Sequence, residues 1–123
     1  MAEENIVKLV VVLNHDDPQS VMAALVMSAA IAATGDQVLF FVQPGGARIL
    51  AKGGLEKYQN LKGLPDPMDL FEAIKVLDGR IILCELGLPV WDMKAEDLVE
   101  GVEVMMASTF VFEAEDAKMV FSY

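Results

Sequence analysis

The fold class is decided by the stretch Gly79-Arg80-Ile81-Ile82-Leu83-Cys84-Glu85-Leu86-Gly87-Leu88-Pro89. A short run of β-branched and aliphatic residues that gives way to Gly87 and Pro89 predicts a buried strand followed by a loop. Cys84, the only cysteine in the chain, is then the last residue of that strand. Open α/β sheets bind ligands at the carboxyl ends of their strands, so we expect Cys84 to lie at the functional edge.

Strands and helices alternate along the rest of the chain. The apolar pattern predicts strands over residues 6–13, 37–42, 80–84, 102–105 and 119–122, and helices over 18–34, 47–52, 67–77 and 109–117, with a helical turn at 95–98. Strands separated by helices pair in parallel through right-handed crossovers. We therefore expect a single domain, residues 1–123, built as a three-layer α/β/α sandwich around a mainly parallel five-stranded sheet of order 2-1-3-4-5.

The first helix is uncharged from Pro18 to Gly35. Asp17 is a favourable N-cap, Pro18 suits the first helical position, and Gly35 is a natural stop. Apolar side chains surround most of the helix axis, so one sheet face is not expected to cover them all; they are Val21, Met22, Leu25, Val26, Met27 and Ile31. With a mean hydropathy of +0.43, this pattern predicts a homo-oligomer.

Charge and length restrict the partners. The 123 residues carry a formal net charge of -10, so their field repels phosphate backbones and anionic lipid, and we expect neither a nucleic-acid nor a membrane partner. The acidic start Met1-Ala2-Glu3-Glu4-Asn5 lacks the basic region of a secretory signal, which predicts a cytoplasmic protein.

Asn14 and His15 directly follow the first strand. In the order 2-1-3-4-5 the first and third strands are neighbours, so His15 and Cys84 are expected to share a crevice. A nearby imidazole would favour the reactive thiolate, whereas Glu85 would disfavour it. The competing interpretations are a solvated loop residue for His15 and a small core hydrophobe for Cys84. Trp91 is expected to be a packing anchor or a pocket wall.

Cofactor motifs are not evident. Asp16 and Asp17 follow the first strand where a flavin phosphate would bind, and two carboxylates would repel it. The pairs Gly45-Gly46 and Gly53-Gly54 match neither a dinucleotide fingerprint nor a P-loop, and we interpret them as helix-end glycines. One cysteine and one histidine leave no zinc or EF-hand spacing, so we expect no metal and no cofactor.

Three segments of the second half of the chain have a distinctive pattern: residues 82–88, residues 91–102, and the ending 110–123, where an alanine and a basic residue precede an apolar strand, a serine and an aromatic residue. In these segments the chain resembles the DsrE/DsrF-like proteins. The resemblance implies one α/β/α domain that assembles into homo- or hetero-oligomers, often trimers or hexamers, and works in cytoplasmic sulfur trafficking. Members such as DsrE and TusD, with a cysteine at the position of Cys84, accept sulfane sulfur there as a persulfide and relay it between TusA-like carriers and downstream proteins.

The residues after Cys84 differ from those relay subunits, which continue with alanine and an arginine-rich sequence. Here the chain reads Glu85-Leu86-Gly87-Leu88-Pro89, which is closer to the peroxiredoxin-like branch. The leading hypothesis is a sulfur carrier or sulfurtransferase-like protein with its persulfide on Cys84. The alternative is a noncatalytic oligomeric binding module with a packed, inert Cys84. Redox sensing or peroxidase chemistry is a third interpretation, weakened because the chain has no second cysteine to resolve a sulfenate.

Overall fold

The computed structural model describes residues 6–123. Within them, five parallel strands form one sheet: β1 (Lys8–Leu13), β2 (Gln37–Val42), β3 (Arg80–Cys84), β4 (Val102–Met105) and β5 (Met119–Ser122). The α-helices are α1 (Pro18–Ala33), α2 (Pro67–Val76), α3 (Gly87–Val90) and α4 (Ala107–Ala114), and 3₁₀ helices occupy Pro44–Leu50, Leu55–Tyr58 and Ala95–Asp97. The α/β class and its parallel sheet are confirmed. The helix α3 and the 3₁₀ helix Leu55–Tyr58 were not predicted.

The strand order is β4-β3-β2-β1-β5, so the predicted order 2-1-3-4-5 is wrong. Each of the strands β2 to β4 is added next to the strand before it, on the same side, and the connection from β4 then crosses the sheet so that β5 pairs with β1. The three interior strands are continuous apolar runs that are buried on both faces. Such runs identify a parallel sheet but do not specify which strands are neighbours.

Crossover handedness decides which helix lies on which face. The steps from β1 to β2 and from β2 to β3 run in one direction, so right-handed crossovers put α1 and α2 on the same face, here called the front. The return from β4 to β5 runs the other way, and α4 therefore packs on the opposite face, here called the back. The front has two long helices, whereas the back has a single eight-residue helix.

Each face has its own apolar core, because successive strand residues point to opposite sides. The front core joins alternate residues of β1, β2 and β3 to α1, α2 and the first two 3₁₀ helices. The back core is smaller and consists of Val10, Leu39, Phe41, Ile82, Cys84 and Phe110. Exposed apolar residues remain beside it on α4 and β5: Val111, Phe112, Met119 and Val120.

The first helix begins as predicted, with the Asp17 carboxylate accepting a hydrogen bond from the Ser20 N–H at 3.0 Å. That bond lowers the pKa of Asp17. The subunit contact expected at α1 stays a prediction; within the chain, α2 packs beside α1 and covers a flank that the sheet leaves open. Four of the six apolar α1 residues named above are buried within the chain, and Val26 is the exposed one. No helix within residues 6–123 has both the length and the apolar character needed to cross a membrane.

Candidate functional site

The connections that leave β3 and β4 go to opposite faces of the sheet. After β3 the chain enters α3 on the front, where Gly87 packs so closely that a Cβ there would lie 2.9 Å from Ala47 Cβ and 3.0 Å from Leu83 Cδ1. After β4 it enters α4 on the back. Adjacent strands with diverging connections leave a crevice at their carboxyl ends, which is where α/β sheets bind ligands. The switch point therefore lies between β3 and β4, and its predicted place beside β1 is wrong.

Cys84 lies at this switch point. It ends β3 and pairs in the ladder with Met105, the last residue of β4, and the Glu85 N–H donates to the Met105 carbonyl at 3.0 Å. Its side chain belongs to the back core with Phe41 and Phe110 and is only 4% exposed. The thiol is thus at the predicted edge of the sheet but covered by the back layer, while the neighbouring Glu85 is exposed.

The cover over the back core is held at a few points. The Phe110 ring of α4 stacks on Phe41 with a centroid distance of 3.9 Å and an interplanar angle of 6°. Arg80 donates two hydrogen bonds to Glu103, at 2.8 and 3.0 Å, and one to Glu113 of α4 at 3.2 Å. The bonds from Arg80 lower the pKa of Glu103. Among residues 6–123, no side chain caps the N-terminus of α4, so the turn that follows β4 lacks this common anchor.

His15 and Cys84 do not share a crevice. Because β2 lies between β1 and β3, the ends of those strands are roughly 10 Å apart, two interstrand spacings of about 4.8 Å each. His15 is exposed on the turn after β1. Asn14 has a structural contact there, since its Oδ1 accepts from the Gly45 N–H at 3.0 Å and its N–H donates to the Tyr123 carbonyl at 2.9 Å. The predicted crevice between His15 and Cys84 is therefore wrong.

Trp91 forms one wall of a pocket of about 210 Å³ on the front. Its indole Nε1–H donates to the Pro44 carbonyl at 2.7 Å, and the Arg48 guanidinium lies 4.0 Å from the centroid of its ring. Arg48 also donates to the Asp16 carboxylate at 2.7 Å. The Tyr58 hydroxyl donates to the Asp16 carbonyl, and burial together with the Asp16 charge raises the pKa of Tyr58.

The basic residues that line this pocket, Arg48, Lys52 and Lys57, were not predicted as site residues. The one sequence feature that could have identified them is the occurrence of three cations between positions 48 and 57 of a chain with a net charge of -10. Among the described residues, no group of three or more His, Cys, Asp or Glu side chains is arranged to hold a metal ion.

The fold is similar to that of two solved proteins. YchN from E. coli superposes with a TM-score of 0.76 at 13% identity, over 97% of this chain and 100% of that chain. MTH1491, a protein of unknown function from Methanobacterium thermoautotrophicum, gives a TM-score of 0.68 at 16% identity, over 95% of this chain and 99% of that chain. No protein-family model and no curated protein sequence matches the chain. The chain therefore shares its fold with YchN and MTH1491 over nearly its whole length.

Proposed function

We propose that this protein is a DsrE-like sulfur carrier, or sulfurtransferase-like protein, that accepts sulfane sulfur as a persulfide on Cys84 and passes it to a partner protein. The observation that carries the proposal is the position of the sole thiol at the β3–β4 switch point. The fold shared with YchN and MTH1491 is compatible with the α/β/α domain that the sequence resemblance implies.

The transfer needs one thiol and no external oxidant. The Cys84 thiolate attacks the outer sulfur of a donor persulfide, R–S–SH, so that a new S–S bond forms as the donor's S–S bond breaks. The donor leaves as R–S⁻, and Cys84 becomes Cys84–S–SH. An acceptor thiolate then attacks the outer sulfur, takes the –SH group and releases the Cys84 thiolate. The sulfane sulfur moves with its oxidation state unchanged.

Access to Cys84 requires the back layer to open. The N-terminal turn of α4 begins two residues after Met105, the ladder partner of Cys84, and it has no side-chain cap among the residues that the structure describes. Local openings of folded proteins cost anything from nearly zero up to the global free energy of unfolding. Because α4 has eight residues and buries only Phe110, it should open at a lower cost than the unfolding of the whole chain. We infer that sulfur is loaded through a transient displacement of this turn.

The partners follow from charge and exposed surface. A net charge of -10 favours a donor or acceptor protein with a basic contact surface, such as a TusA-like carrier. The exposed apolar residues Val111, Phe112 and Val120 favour a second copy of this chain as the cover of the back face, in a homo-oligomer such as a trimer or hexamer. Assembly through this face would place one copy beside the Cys84 layer of another.

A second function is favoured by the burial of Cys84. A thiol that is 4% exposed, with the chain's only histidine about two strand spacings away, has the environment of a packing residue. In that case the protein is a noncatalytic oligomeric module that binds ligands or partners elsewhere on its surface.

Sulfur loading separates the two functions. The native protein is incubated with a small-molecule persulfide, and intact-mass spectrometry follows the gain of one sulfur atom, with Cys84→Ser as the blank. Glu85→Gln should load faster than the wild type, because the exposed carboxylate next to Cys84 repels an anionic persulfide. Glu96→Gln is the matched control, since it makes the same change in net charge at an exposed position in the 3₁₀ helix Ala95–Asp97.

Loading of native Cys84 and its loss to an acceptor thiol support the sulfur carrier. If the urea-unfolded chain gains sulfur while the native chain does not, Cys84 is inert and the binding-module function replaces it. Equal acceleration by Glu85→Gln and Glu96→Gln would show that net charge, rather than the carboxylate beside the thiol, controls loading.

A further inference from the structure

We propose that the front-face pocket binds a small organic anion, a phosphate or carboxylate group attached to a compact apolar body. This basic pocket is lined by Arg48, Ala51, Lys52, Gly53, Gly54, Lys57, Trp91 and Met93. It lies beyond the carboxyl end of β2, because the 3₁₀ helix Pro44–Leu50 that contributes Arg48 follows that strand directly. Cys84 faces the back of the sheet, so this is a second site that is independent of the persulfide chemistry.

The charge around the basic pocket is opposite to that of the protein. The chain has nine Lys and Arg residues against nineteen Asp and Glu, yet within the described range 6–123 three cations and no carboxylate side chain line this pocket. Among residues 6–123, neither Lys52 nor Lys57 has a carboxylate oxygen within 4.0 Å. Cations gathered around one pocket repel one another, and an anion bound between them removes that cost.

Two carboxylates lie near the basic pocket without neutralising its lysines. Asp16 is bound to Arg48, and Glu56 has its Oε2 only 3.8 Å from the position that a Cβ on Gly53 would take. These two charges reduce the local surplus from three positive charges to one, which still favours a small anion. A polyanion is excluded by the field of the remaining surface, since the whole chain is strongly acidic.

Arg48 is held in place before any ligand arrives. Its guanidinium lies over the Trp91 ring at 4.0 Å, and one nitrogen donates to Asp16 at 2.7 Å. A guanidinium has five N–H donors, so most of them remain available for a carboxylate or phosphate. Trp91 is itself anchored by its bond to the Pro44 carbonyl. A donor fixed in this way loses little conformational entropy on binding, which favours a specific site over a loose basic patch.

The floor of the basic pocket is also rigid. A Cβ on Gly54 would lie 2.3 Å from the Arg48 carbonyl oxygen, so only glycine permits this close turn. Ala51 forms an antiparallel bridge with Leu98, and the Lys52 N–H donates to the Asp97 carbonyl at 2.9 Å. Gly53-Gly54, predicted to be helix-end glycines, lie between the 3₁₀ helices Pro44–Leu50 and Leu55–Tyr58, and Gly54 is the N-cap of the second. Both glycines also line this pocket.

Size and lining restrict the ligand further. A volume of about 210 Å³ is below the roughly 300–1,000 Å³ of sites for drug-sized molecules, so the part of the ligand that enters the pocket is smaller than a nucleotide. Trp91, Met93 and Ala51 provide an apolar wall beside the cations. Such a combination suits an anion with a short apolar body better than a bare inorganic ion.

The test is an amide NMR titration of the full chain with phenyl phosphate, benzoate, inorganic phosphate and phenol. Trp91 is the only tryptophan, so one indole N–H signal reports on the pocket wall. We expect saturable shifts of that signal and of the Gly53 and Gly54 amides with phenyl phosphate or benzoate, weaker shifts with inorganic phosphate, and none with phenol. Comparison of phenyl phosphate with benzoate identifies the preferred anionic group.

Paired charge variants test the assignment to this pocket. The double variant Lys52→Gln/Lys57→Gln should raise the Kd by about tenfold or more, as expected when charge-assisted contacts are lost. Lys62→Gln/Lys118→Gln makes the same change in net charge at two exposed lysines outside the pocket lining and should leave the Kd within about twofold. Cys84→Ser should bind like the wild type, which separates this result from sulfur loading.

Three outcomes would overturn the proposal. One is the absence of saturable shifts up to about 1 mM of either organic anion, the weak end of specific affinity. Another is an equal loss of binding in the two double variants, which would indicate diffuse attraction to basic residues. The third is binding of inorganic phosphate as tight as that of phenyl phosphate, which would show that the apolar body of the ligand does not contribute to binding.

Discussion

Phe110→Ala should convert Cys84 from a protected thiol to a reactive one. Phe110 is 7% exposed and stacks on Phe41 in the core that also contains Cys84. Truncation of a buried Phe to Ala costs about 3–5 kcal/mol, of which a stacked aromatic pair contributes about 0.5–1.5 kcal/mol. The loss should fall mainly on the docking of α4, because Phe110 is the one residue that this helix buries.

The size of the effect follows from that cost. If about 3 kcal/mol of the loss lowers the free energy of opening α4, the open fraction rises roughly 100-fold, since every 1.4 kcal/mol is a factor of ten. The assay is the rate at which Cys84 reacts with an aromatic disulfide reagent at neutral pH, with circular dichroism as the measure of folding. If Phe110→Ala proves too unstable, Phe110→Leu replaces it; because this variant keeps more apolar volume, the increase in reaction rate should be smaller.

Phe112→Ala is the matched control for this experiment. It removes the same ring from the same helix at a position that is 73% exposed, so the reaction rate should stay within about twofold of the wild type in samples of equal assembly state. The reasoning is refuted if folded Phe110→Ala reacts at the wild-type rate, because Cys84 would then be exposed only by global unfolding. It is equally refuted if the wild-type thiol already reacts as fast as the unfolded chain.

Two further predictions concern stability and assembly. The pKa of Glu103 is lower in the folded state than in the unfolded chain, so its bonds with Arg80 stabilise the protein above about pH 4.3 and this contribution is lost as the pH falls through the folded value. Because both partners are partly exposed, Glu103→Gln should cost at most about 1 kcal/mol by urea unfolding at pH 7 and almost nothing near pH 2; an equal cost at both would contradict the ion pair. Phe112→Glu should dissociate the oligomer to the 13.4 kDa monomer in sedimentation equilibrium, whereas Val76→Glu, on α2, should not. A wild-type chain that is already monomeric at micromolar concentration would contradict the proposed homo-oligomer.

Most of the local structure could be predicted from the amino-acid sequence. The bounds of β2, β3, β4 and β5 and the Asp17 cap of α1 agree with prediction, because each depends on residues that are adjacent in the chain. The position of Cys84 at a strand end was also predicted, since a short apolar run followed by Glu85 and Gly87 indicates that the strand ends there. These features need only the periodicity of side chains and the conformational preferences of glycine, proline and aspartate.

Neighbours across the sheet were decided by the tertiary structure alone. The interior strands are all apolar, so their sequences permit several parallel orders, and the observed order puts β2 between His15 and Cys84. The same order sends α4 to the back, which covers Cys84. It also brings Trp91 to Arg48, 43 positions earlier, and so forms the basic pocket. Residue patterns specify elements because their interactions are local, whereas a buried thiol and a pocket depend on which elements pack together.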